Sequence, residues 1–154
     1  KHIILLDLDE WGNSIVLDDG LFLACESTLK QKAVRRKTFS SAFAGGEGFF
    51  NLGLKGSGVV CIESDCSREE LVEITLEDDV VKIDGNLAIA WSGSLDFTVE
   101  RAGKSLLGSA ASGEGLVNVY RGTGKVLLAP VGNQAMKPQQ VIEKEPVIVG
   151  DDDE

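Results

Sequence analysis

The sequence has few of the side chains that metal-dependent and hydrolytic enzymes use. Its 154 residues include one histidine, His2, and three cysteines. A nucleophilic serine would have no histidine base in the body of the chain, and a zinc site would lack its usual Cys or His ligands. We therefore expect no catalytic residue, no metal site and no cofactor.

Cysteine and long apolar runs are scarce as well. Cys25, Cys61 and Cys66 are odd in number, and a chain of this length buries a core without disulfide staples, so we expect reduced thiols. Cys25 and Cys61 fall in apolar runs and are expected to be small core residues. No run of about 18 uncharged apolar residues predicts a transmembrane segment, and no signal peptide opens the chain. The expected location is the bacterial cytoplasm.

Basic residues are outnumbered, with 15 Lys and Arg against 25 Asp and Glu and a formal net charge of −10. This balance disfavours nucleic acid as a partner, because the protein repels its phosphates. One segment is nevertheless rich in positive charge. It is either a solvated edge strand or hairpin blunted by lysine, or a docking patch for an anionic partner. Its basic residues are Lys30, Lys32, Arg35, Arg36 and Lys37.

Short apolar runs separated by turn residues predict an all-β protein. Glycine is frequent, at 18, and proline rare, at 3. Residues 71–76 alternate between apolar and polar side chains, and no window of about 12 residues has a helical period. Regular short spacing of strands is typical of a sandwich, jelly roll or barrel. The strand-like runs are 3–8, 14–17, 21–25, 49–54, 59–62, 71–76, 80–83, 87–91, 95–99, 116–120 and 126–128.

Glycine motifs recur in the same order in the two halves of the chain. Asp19-Gly20, a Gly-Glu-Gly at 46–48 and a Gly-Ser-Gly at 56–58 are each matched about 66 residues later, at 84–85, 113–115 and 122–124. The recurrence predicts a duplicated β unit of about 65 residues, with repeats at 3–66 and 71–131 in one domain over 1–132. Residues 133–154 form a C-terminal extension with an acidic tail.

Two interpretations of the glycine motifs are open. Glu47 and Glu114 could form an acid–base pair across the pseudo-symmetry. Alternatively, the glycines set turns and each glutamate ties down backbone amides, which is the interpretation we favour. The acidic turns at 18–19, 78–79 and 84 are expected to be solvated. The motif residues are Gly46, Glu47, Gly48, Gly56, Gly58, Gly113, Glu114, Gly115, Gly122 and Gly124.

From these motifs the sequence resembles a known family, the one named for altered inheritance of mitochondria, whose bacterial members are called TRAP-like. The resemblance rests on Phe43–Phe50 with Gly56-Ser57-Gly58, on Asp84–Ala88 and on Ser112–Leu116, and covers about residues 2–131. It implies a duplicated, jelly-roll-like double-stranded β-helix related in shape to the tryptophan-sensing RNA-binding attenuator protein. Neither the tryptophan site nor the RNA site of that protein has a matching motif here.

Two hypotheses about function follow. The first is a non-enzymatic structural, assembly or protein-interaction module that forms a homo-oligomer, because two short β units leave strand-rich surfaces open. The second is a protein that binds a small ligand or anion, either in a pocket between the repeats or at the basic segment 30–37.

Overall fold

A computed structural model describes residues 1–35, 50–84, 87–101 and 116–130. Their regular structure is β throughout, apart from one 3-10 turn at Leu8–Trp11, and this confirms the all-β class. The strands are β1 His2–Asp7, β2 Ser14–Leu17, β3 Phe22–Cys25, β4 Lys30–Arg35, β5 Phe50–Lys55, β6 Val59–Ser64, β7 Val72–Asp84, β8 Ala88–Ser92, β9 Asp96–Arg101 and β10 Leu116–Leu128.

The strands form two antiparallel sheets. The smaller sheet has the order β1-β6-β3, and the larger has the order β4-β5-β2-β8-β10-β7. Strand β9 pairs with residues 116–121 of β10. We call β1–β6 the first half and β7–β10 the second half. The pairing of β2 with β8 joins the halves within the larger sheet, and Val16 lies opposite Trp91 at its centre.

Strands β7 and β10 are each longer than the sequence predicts, because each joins two predicted strands into one of 13 residues. The polar residues between the apolar runs do not interrupt pairing. Asp78 has a positive φ of 51°, and its backbone N–H donates to Thr123 Oγ1 at 3.0 Å. The register of the two strands shifts between Gly122 and Gly124. This β-bulge accommodates the mismatch in register, so both strands continue past it.

Strand β4 has no clear apolar alternation and was absent from the predicted strands. It pairs with β5 and forms an edge of the larger sheet as far as the structure describes it. Lys30 and Lys32 are exposed on it. Exposed lysines on an edge strand discourage further pairing, and the docking patch stays the alternative hypothesis.

The larger sheet lies between two apolar cores. Ile15 and Leu17 of β2 face the first core, which is shared with the smaller sheet. Val16 faces the second core, which contains Trp91 and Tyr120. All five residues of β8 are buried. Complete burial of one such apolar side chain contributes about 1.5–3 kcal/mol. The β2–β8 junction is therefore stabilised on both of its faces.

The three cysteines are reduced thiols in the structure. Cys66 is buried in the first core, and Cys25 packs against that core from β3. Cys25 and Cys61 are only half-buried. The expected core role therefore describes Cys66 better than the two strand cysteines.

The glycine pairs 56/58 and 122/124 have backbone conformations that favour glycine. Gly56 has φ 133° and Gly122 has φ 115°, in the region that side chains rarely adopt. A Cβ at Gly56 would also lie 3.0 Å from the carbonyl oxygen of Thr28. These backbone conformations explain why glycine occupies positions 56 and 122.

We predict that Gly56→Ala lowers the free energy of unfolding by about 3 kcal/mol, because the alanine combines backbone strain with a close contact to backbone. Gly20→Ala is the matched control, since Gly20 has φ 76° and nothing lies within 4 Å of its added Cβ. The control should lose about 1 kcal/mol. Urea unfolding measures both. Equal losses for the two variants would contradict a steric role for Gly56.

Candidate functional site

A groove of about 390 Å³ lies between the two halves. One wall comes from β2 and β5, including Val16 and Gly53, and the other from the β8–β9 region, including Trp91 and Phe97. Gly93 at the base of this region donates its N–H to the carbonyl oxygen of Ser14 at 2.8 Å. Any side chain at Gly93 would collide with Ser14. The groove therefore depends on the close approach of the two halves.

Three aromatic rings support the second-half wall. The Trp91 and Phe97 centroids are 5.1 Å apart, and Tyr120 lies 5.3 Å from Trp91 and 5.1 Å from Phe97. Phe97 and Tyr120 are cross-strand partners of β9 and β10, and such pairs prefer tilted or edge contacts. The positions of the three rings in the sequence gave no signal of this cluster, since only the strand pairing brings them together.

Lysines line the opposite wall. Lys30 and Lys32 share one face of β4 because strand side chains alternate, and Lys55 of β5 lies opposite Lys30. Lys32 and Lys55 both line the groove, as does Asp96 on the other wall. The structure thus adds Lys55, which is remote in sequence, to the predicted basic patch.

The remaining candidates are only partly described. Arg35 ends β4, whereas Arg36, Lys37 and both Gly-Glu-Gly motifs (46–48 and 113–115) lie outside the described residues. The acid–base pair of Glu47 and Glu114 therefore stays a hypothesis. Asp18 and Asp19 line a second groove of about 430 Å³ beside Lys32. Within the described ranges, no three His, Cys, Asp or Glu side chains are grouped to hold a metal ion.

Both tryptophans are buried. The 3-10 turn begins with Asp7, whose side chain accepts a hydrogen bond from the Asp9 N–H at 3.0 Å, and ends at Gly12 in the left-handed conformation. This turn places Trp11 in the first core, where its side chain is 3% exposed. Lys125 of the second half lies 5.8 Å above the Trp11 ring, so Trp11 also contacts both halves.

A cluster of charged side chains links strands β7, β9 and β10 of the second half. Glu100 of β9 accepts from Lys82 of β7 at 3.1 Å and pairs with Arg121 of β10. Arg121 also donates to Thr98 Oγ1 at 3.1 Å. The Arg121 guanidinium, and after it the Lys82 ammonium, lowers the pKa of Glu100 below its ordinary value. The charges of this cluster therefore pair with one another across the strands.

The chain belongs to the family described as Mitochondrial biogenesis AIM24, which it matches over residues 1–131. The resemblance seen in the glycine motifs is thereby confirmed. An uncharacterized protein of Streptococcus pyogenes serotype M6 is 30% identical over 127 residues, which are 82% of this chain and 49% of that protein.

A crystal structure of a Streptococcus pyogenes protein has a similar fold, with a TM-score of 0.64 and 29% sequence identity. The likeness covers 85% of this chain and 55% of that one. The chain therefore spans about half the length of both relatives. In the part of the chain that the structure describes, no helix is long and apolar enough to cross a membrane.

We predict that Glu100→Gln lowers the melting temperature at pH 7 by no more than about 4 °C, since its pairs are partly exposed. A lowered folded-state pKa stabilises the protein above the unfolded value of about 4.5, and this contribution is lost as the pH falls through the folded pKa. The difference between wild type and variant should thus close below about pH 4.

Melting curves between pH 3 and 7 test this prediction. Glu77→Gln removes an exposed carboxylate from β7 and is the matched control for net charge. A difference for Glu100→Gln that is the same at every pH would contradict the assigned ion pairs.

Proposed function

We propose that the chain is a non-enzymatic assembly module built from two copies of one β unit, folded as a jelly-roll-like double-stranded β-helix, and that such units associate into a homo-oligomer. The observation that carries this proposal is the pairing of β2 with β8, in which Ile15, Val16 and Leu17 align with Ser92, Trp91 and Ala90. In this pairing one half of the chain already uses a strand edge to bind the other half.

Strand registers support the duplication. Cys25 pairs with Val60, and about 66 residues later Trp91 pairs with Val126. The agreement extends through the pairings of β2 and β4 with β5, which correspond to those of β7 and β9 with β10. Further corresponding pairs are Ala24–Cys61 with Ala90–Leu127, Lys30–Lys55 with Asp96–Arg121, Arg35–Phe50 with Arg101–Leu116, and Leu17–Leu52 with Ile83–Asn118.

Side-chain capping supports the same conclusion. Glu26 Oε2 accepts from the N–H of Val59 at 2.9 Å, and Ser92 Oγ accepts from the N–H of Lys125 at 3.0 Å. These bonds follow the second glycine of each Gly-x-Gly motif at the same spacing. A polar residue of different type thus performs one task in each half, which is the expected result of divergence after duplication.

The length of the relatives is consistent with assembly. They are about twice as long as the matched region, which leaves room for further β units of the proposed size. The family description names a biogenesis process rather than a reaction, and this agrees with a module that acts by association.

We predict a discrete homo-oligomer without added mass when the chain is examined by native mass spectrometry and sedimentation velocity at micromolar concentrations. Apolar strand edges bury surface on pairing, so the assembly should persist when the salt concentration is raised to 0.5 M, where surface ion pairs are screened. A monomer at 100 µM would contradict the assembly function.

We propose as a second function that the groove binds a small organic anion with an aromatic ring. Lys32 and Lys55 supply positive charge on one wall, while Trp91 and Phe97 supply an apolar wall. Concave sites of this volume with a few polar groups are typical of small-molecule binding.

The anion function predicts that millimolar benzoate or AMP raises the melting temperature, because a ligand that binds the folded state stabilises it. Lys55→Gln should weaken binding by about tenfold through loss of a charge-assisted contact, whereas Lys1→Gln, which removes an exposed lysine outside the groove, should not. Equal affinity in both variants would contradict a role for the groove lysines.

A further inference from the structure

The outer face of the smaller sheet carries large apolar side chains in solvent. Ile3 is 71% exposed and Leu5 is 65% exposed, whereas Ile4 and Leu6, which alternate with them along β1, are each 3% exposed. On β3, which lies beyond β6 at the other edge of the same sheet, Leu23 is 45% exposed. Large apolar side chains exposed on one face of a sheet are typical of an interaction site.

The corresponding face in the second half is covered. Ala90 and Leu127 pair in β8 and β10 as Ala24 and Cys61 pair in β3 and β6. Ala90 and Leu127 are fully buried in the first core, whereas Ala24 is exposed and Cys61 is half-buried. The difference arises because the first half packs on the second through β2, while no described residue occupies that place on the first half.

The strand edges differ in the same way. Among the described residues β3 pairs only with β6, and β7 pairs only with β10. Their counterparts at the junction, β8 and β2, pair with each other. Strand β3 carries no charge or proline in Phe22–Cys25, unlike the edge strand β4 with Lys30 and Lys32. Edge strands without such protection are templates for pairing.

We infer that the outer face and free edge of the smaller sheet bind a second copy of this chain, whose β7 residues 80–84 pair with β3 as β2 pairs with β8. This inference rests on the proposed assembly function and specifies its interface. The register of the internal junction, transferred to the new one, sets Ile83 opposite Ala24, Lys82 opposite Cys25 and Val81 opposite Glu26. Val80, which is 46% exposed, lies at the start of the incoming edge.

The occupant is a second copy because the interface repeats one that the chain already contains. Among the described strands, each chain has one open edge of either kind, β3 in the first half and β7 in the second. The contact is therefore heterologous, since different surfaces of the two copies meet. Binding would bury Ile3, Leu5 and Leu23 as the internal junction buries Ala90 and Leu127.

A cross-link tests the register. Lys82 is exposed, at 58% of its side chain, and opposed hydrogen-bonded residues of antiparallel strands have Cα atoms about 5.5 Å apart, a separation that a disulfide spans. Lys82→Cys should therefore form an intermolecular disulfide with the native Cys25 when oxidised glutathione accepts the two electrons. Lys82→Cys combined with Cys25→Ser should not cross-link.

Thr75→Cys is the matched control, because Thr75 is exposed on the same strand but about 23 Å away along it. A Cys25-dependent cross-link in Lys82→Cys and none in Thr75→Cys is the expected result. Cross-linking that is equal in the two variants, or that persists without Cys25, would overturn the register.

A second measurement separates the interface from the assembly function. Leu5→Lys should raise the dissociation constant of the oligomer by at least about tenfold, because a lysine ammonium would be buried on the apolar face. Val72→Lys is the control, since Val72 is 47% exposed on β7 outside residues 80–84. Sedimentation equilibrium of the full chain measures both constants.

The outcomes are distinct. An oligomer that is weakened by Leu5→Lys alone supports the inference. An oligomer that neither variant weakens, without the Cys25 cross-link, would overturn this interface and leave the assembly function intact. A wild-type chain that is monomeric at 100 µM would overturn both, and would assign the apolar face to another occupant such as a further segment of a longer polypeptide.

Discussion

The pairing of β2 with β8 is the contact on which the rest of the structure depends. It makes one sheet from strands of both halves, and it buries that sheet on both faces, with Leu17 on one side and Val16 on the other. The inter-half groove and the close approach of Gly93 to Ser14 follow from the same contact. A loss of this pairing would expose two cores at once, so folding of the halves is coupled through it.

Much of the fold could be predicted from local patterns. The runs at 14–17 and 59–62 lie within strands of the structure because short apolar runs bounded by turn residues mark strands. Strand β4 could not be found in this way, because an edge strand with Lys30 and Lys32 has little to bury. The continuity of β7 and β10 was also missed, since it depends on a cross-strand bond from Asp78 to Thr123 rather than on local sequence.

The candidate site was less predictable than the fold. The basic segment was visible as a charge cluster, but its orientation toward a groove depends on the β4–β5 register, which adds Lys55. The ring cluster of Trp91, Phe97 and Tyr120 depends on pairings across distant parts of the chain. Pairing of this range is fixed by tertiary packing, and a single sequence contains no spacing that specifies it.

The two proposed functions place different demands on the molecule. A ligand groove needs its walls to stay open, whereas assembly needs apolar edges to close against a partner. The groove lies at the junction that is already closed, and its lysines protect the neighbouring edge β4 from pairing. Strand β3 is an edge without such protection, in the sheet that also exposes Ile3 and Leu5. In the two proposals, charge therefore disfavours association at β4 beside the groove and leaves β3 of the smaller sheet for it, so both functions are compatible in one molecule.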